Sequence, residues 1–154
     1  MDPVTATAVL VQLSVIGATV VLVVRSRRHQ APVTLIAGGA LGFFSGLSTA
    51  VLAVGHLFGV AVFELRRFPL RYDFRVFALL LLGATLIALG TRLVQASVGV
   101  VRGERPSWRR AVGAAVALLA VNGALAPIQG FAVALFVFVA IGLVALLAAR
   151  AHTA

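Results

Sequence analysis

The chain has no cysteine and no lysine, and only four of its 154 residues are acidic. Without cysteine there is no disulfide, no thiol nucleophile and no sulfur-ligated metal or iron–sulfur centre, and the redox compartment leaves no trace in the sequence. Without lysine there is no amine for a Schiff base, so a retinal-type pigment is excluded. The acids are Asp2, Glu64, Asp73 and Glu104. None stands inside an apolar run, so the membrane interior is offered no pair of carboxylates for proton transfer. Histidine–glutamate zinc motifs and phosphate-cradling glycine loops are missing too. Gly42-Phe43-Phe44-Ser45-Gly46 departs from the intramembrane serine protease signature, which has one residue between glycine and serine. Ser45 and His56 are eleven residues apart on one run, about 16 Å along a helix, too far for a nucleophile and its base. These absences lead to the expectation of a chain without a catalytic centre.

What is present is apolar. Hydrophobic residues make up 62% and charged residues 11%, against about half and about a quarter in a soluble domain. There is too little polar sequence to cover a core of that size in water, and a bilayer removes the problem. The length suits a single unit. The net charge of +9 comes from thirteen arginines, gathered in short clusters between the apolar runs. That pattern belongs to loops facing anionic lipid headgroups, and nucleic acid is not expected as a partner.

The fold class expected is all-α, a polytopic transmembrane helical bundle of five spans at about 4–24, 33–58, 76–98, 108–125 and 131–149. The first run is followed, not preceded, by its arginines and reads as a retained span rather than a removed leader. The second run, Val33 to Phe63, has 31 residues, about 46 Å as one helix. That exceeds the ~30 Å hydrocarbon core, so it must tilt, project or break, with Gly55-His56 and Gly59 the places for a change. The last stretch, Ala111 to Ala149, is too long for one span. Asn122-Gly123 and Ala126-Pro127-Ile128-Gln129-Gly130 divide it. The alternative is four spans plus a re-entrant or interfacial segment. Trp108 reads as an anchor at the membrane interface. With five spans, nine arginines including Arg92 fall on one side and Arg66, Arg67, Arg71 and Arg75 on the other. This places the N-terminus outside and the C-terminus inside a plasma or inner membrane.

Three groups of residues stand out. Gly38, Gly42 and Gly46 recur at every fourth position and Ala50 continues the row, a smooth stripe for close helix contact. The stripe suits another span of this chain, a second copy or a partner in a larger membrane complex, and its first implication is an accessory or structural subunit or a small oligomer. Arg92, Gln95, Asn122 and Gln129 are the polar residues inside or beside apolar runs. They imply, as an alternative, a small transporter or channel with a polar path. Arg92 with Gln95 one turn away also suits an anion or headgroup site. His56 is the one histidine inside an apolar run, and a haem or pigment ligand is the second alternative. A two-histidine haem would draw its other ligand from an oligomer, because His29 and His152 belong to polar segments on the other side.

Overall fold

The computed structural model describes residues 3–27, 31–65, 74–125 and 130–153. They form α1 (Pro3–Arg27), α2 (Val33–Leu65), α3 (Phe74–Val101), α4 (Arg105–Leu125) and α5 (Gly130–Ala148), followed by a 3₁₀ turn at Ala149–His152. The protein is an all-helical bundle. Four helices contain stretches long and apolar enough to cross a membrane, at Val9–Arg27, Val33–Gly59, Val76–Val101 and Val133–His152.

The fifth helix, α4, is a full element but falls short by that measure. Its first turns carry Arg105, Arg109 and Arg110. What remains apolar, from Ala111 on, is about 22 Å long, less than the ~30 Å of a hydrocarbon core. Its neighbours hold it in place, and Ala111, Ala114, Ala115, Leu118 and Asn122 are buried.

The principal helix contacts form a ring. α2 packs on α3 and α5, and α4 packs on the same two helices from the opposite side. Leu93, Val100, Leu118, Val139 and Leu146 fill the centre. α1 lies outside the ring, with its main contact on α2.

The glycine row explains how α2 fits between two neighbours. A Cβ on Gly38 would stand 3.0 Å from the Ala145 carbonyl oxygen at the end of α5 and 3.2 Å from the Ala149 Cβ in the 3₁₀ turn that follows. One on Gly42 would meet the Ser97 hydroxyl of α3 at 2.6 Å, and one on Gly46 the Gly90 carbonyl oxygen at 2.7 Å. Gly90 faces back towards Gly46 and the Cβ of Ala50. The row left open in sequence is therefore filled by α3 and α5 of the same chain. With no side chain at these positions the backbones close directly on one another, and dispersion between them replaces contact with lipid. Ser45 adds a polar tie, donating to the Phe138 carbonyl oxygen of α5 at 3.1 Å.

Of the tilt, projection or break expected of this run, a break at Gly55-His56 or Gly59 does not occur: α2 continues as one helix to Leu65. A helical glycine costs about 1 kcal/mol relative to alanine. In lipid a broken backbone hydrogen bond costs several times that, so the helix persists through them.

Between α3 and α4 the chain reverses in three residues. Gly103 has φ +78°, the left-handed conformation that glycine adopts without penalty. Its N–H donates to the Val100 carbonyl at 2.9 Å, and the Glu104 N–H donates to the Gly99 carbonyl at 3.1 Å. This pair of bonds is a Schellman cap. Trp108 N–H then donates to the Glu104 carbonyl at 3.0 Å, so Glu104 ends one helix and opens the next, its carboxylate at the positive end of the α4 dipole. A Cβ on Gly99 would fall on the Ser107 side chain and the Glu104 carboxylate, so the tight turn needs glycine there.

Candidate functional site: an arginine-lined cleft between α3 and α4

α3 and α4 run antiparallel from this turn. On α3, Leu89, Arg92 and the pair Gln95-Ala96 follow one another at three- or four-residue steps. On α4, Ser107, Arg110, the pair Gly113-Ala114 and Ala117 do the same. The two sets face each other across a cleft of about 660 Å³. It stays open because α4 presents small residues to it, and a Cβ on Gly113 would meet nothing within 4 Å.

Arg92 and Gln95 are both exposed in this cleft. Arg92 lies nine residues before the end of α3, about 14 Å along the axis. An arginine at the centre of a span costs ~3 kcal/mol on insertion scales. The open cleft offers its long side chain a route towards the arginine-bearing end of the bundle. Arg110 enters the same space from α4. Glu104, the carboxylate at this end among the described residues, stays at the turn, where its Oε2 accepts from the Ser107 hydroxyl at 2.7 Å.

Asn122 is elsewhere. It is fully buried, its Nδ2 donates to the Leu118 carbonyl oxygen at 2.9 Å, and its Oδ1 has no partner. It does not line the cleft with Arg92 and Gln95. Gln129 lies outside the described residues. Of the three described residues named for a polar path, Arg92 and Gln95 line one cleft and Asn122 stands apart from it.

His56 is half-buried, and its Nε2 is enclosed without a hydrogen-bond partner among the described residues. The nearest comparison is His152, whose Nδ1 lies 3.0 Å from the Thr34 hydroxyl at the start of α2. His56 is about 33 Å further along that helix. One chain therefore does not bring these two imidazoles together as axial ligands of a haem. Among the described residues no three of histidine, aspartate and glutamate gather as metal ligands.

A second cleft, of about 640 Å³, opens between α1, α2 and α3, lined by residues that include Arg25, Ser26, Phe43 and Arg102. Ser26 turns inward on its own helix, donating to the Leu22 carbonyl at 2.6 Å.

Two residues gained roles that the sequence reading did not give them. Trp108 is half-buried and donates its indole N–H to the Leu146 carbonyl oxygen of α5 at 2.6 Å, with the Arg150 guanidinium 5.9 Å from the ring centre. It gives a side-chain donor to a carbonyl in the last turn of α5, among those that end a helix without a full set of i+4 partners. Arg110 read as one of several loop arginines, because its membership of a cleft depends on the register between α3 and α4. Comparison of the chain with known protein families, with curated proteins and with solved structures finds no match.

Proposed function

We propose that this small membrane protein is a structural or accessory component without a catalytic centre, working by lateral association within the bilayer as a subunit of a larger complex or as a small oligomer. One observation carries the reading. α2 closes on α3 and α5 through glycines that bring the backbones together and α4 packs on the same two helices, whereas α1 rests outside on α2 and leaves Leu10, Leu13, Val20 and Val21 more than half exposed. A solid ring with an added helix suits a protein that occupies and organises membrane space. The faces of Gly17 on α1 and of Gly55 and Gly59 on α2, where a Cβ would meet nothing within 4 Å among the described residues, add the close-approach surface such association uses. The arginine-rich end faces the cytoplasm in this reading, as the charge bias of loops favours.

Mass measurement of the protein released from membranes in a mild detergent tests the proposal. A defined homo-oligomer, or a stoichiometric second protein, is the expected result. A monomer alone, unchanged when cross-linked in intact membranes, would overturn it.

A further inference from the structure

The α3–α4 cleft has a chemistry that lateral association does not use. We propose that it binds the phosphodiester headgroup of an anionic phospholipid, with Arg92 and Arg110 on the phosphate and an acyl chain lying along the small-residue wall of α4.

Four polar side chains converge from two helices: Arg92 and Gln95 from α3, Ser107 and Arg110 from α4. Both arginines are exposed to the cleft, and Glu104 is engaged by Ser107 at the turn. A guanidinium presents a rigid fork of donors that matches phosphate oxygens and stays charged in any surroundings. With Arg92 set nine residues inside the end of α3 and Arg110 five residues into α4, the pair calls for an anion that comes from the membrane side. Below the arginines the walls are hydrocarbon: Leu89 on one helix, Ala114 and Ala117 on the other, with the notch at Gly113 between them. A polar top on an apolar floor fits an amphiphile and wastes half its surface on a free ion. The nearby Glu104 carboxylate lowers the local positive potential, which favours a singly charged phosphodiester over a doubly charged phosphomonoester. A zwitterionic lipid brings its own cation to the phosphate and gains less from the pair.

The α1-side cleft, with Arg25 and Arg102, lacks these features. Its arginines stand at the helix ends, where loop charges and headgroups meet on any membrane protein.

The full-length protein is placed in nanodiscs of equal phosphatidylglycerol and phosphatidylcholine, released, and weighed intact with its retained lipid. The expected result is retained phosphatidylglycerol in preference to phosphatidylcholine. Arg92→Gln with Arg110→Gln lowers that retention by about tenfold, the scale of charge-assisted contacts of this kind, while Arg25→Gln with Arg27→Gln leaves it unchanged. Gly113→Leu, at a position where a Cβ would meet nothing within 4 Å among the described residues, projects into the cleft, lowers it as well and stands in should the arginine variant fail to fold. Equal retention of the two lipids, retention unaffected by both cleft variants, or inorganic phosphate binding to the delipidated protein with no lipid retained in nanodiscs would each overturn the proposal.

Discussion

Glycine does two opposite things in this protein, and its surroundings decide which. Gly46 lies so close to α3 that a methyl group would press on the Gly90 carbonyl oxygen and the Val94 nitrogen, backbone atoms that cannot turn aside. At Gly55, nine residues along the same helix, a Cβ would meet nothing within 4 Å among the described residues. Gly46→Ala should therefore destabilise the bundle by about 1–3 kcal/mol, the usual cost of overpacking. Gly55→Ala should be neutral or stabilise by up to about 1 kcal/mol through helix propensity. Thermal unfolding of the two variants in detergent, followed by circular dichroism, checks the contrast, and equal effects would contradict the packing described. The recurrence at 38, 42 and 46 was readable because helical periodicity is local. Which neighbour it meets was not, because every apolar run offers a similar surface.

At the scale of the element, five helices were legible from run lengths and arginine clusters, with boundaries within three residues of those read except at the end of α2, read at 58 and found at Leu65. The differences have physical causes. α4 begins at Arg105 rather than 108 because Glu104 caps it, a role set by the turn that Gly103 allows. α2 continues past its glycines because lipid penalises an open backbone. α4 is the least apolar of the five and owes its place to α3 and α5. The indole of Trp108 clasps it to the end of α5. Trp108→Phe keeps the ring and removes the donor. It should cost about 1 kcal/mol, the net worth of such a hydrogen bond, again read by circular dichroism on heating. No change on heating would reduce Trp108 to the interfacial anchor that its sequence position alone implies.

The whole molecule is asymmetric in charge. Among the described residues, Arg25, Arg27, Arg102, Arg105, Arg109, Arg110 and Arg150 gather at the end where α1, α3 and α5 finish and α2 and α4 begin, with Glu104 their one acid. Absence of cysteine makes the orientation simple to test. Thr153→Cys adds a single thiol at that end. A membrane-impermeant maleimide should leave it unlabelled in intact cells and label it in inverted vesicles. The reverse pattern would turn the protein over, and with it the leaflet that supplies the headgroup in the cleft.

The residues alone determined the solvent and the class of fold, because the cost of placing apolar surface in water and unpaired backbone in lipid is paid segment by segment and needs no neighbour. Tertiary structure decided the rest: that α3 and α5 fill the glycine row, that α1 stays outside, that Asn122 is separated from Arg92, and that Arg110 joins it. Each of these depends on the register between helices far apart in sequence, and register is set by the sum of many small contacts that no single run contains.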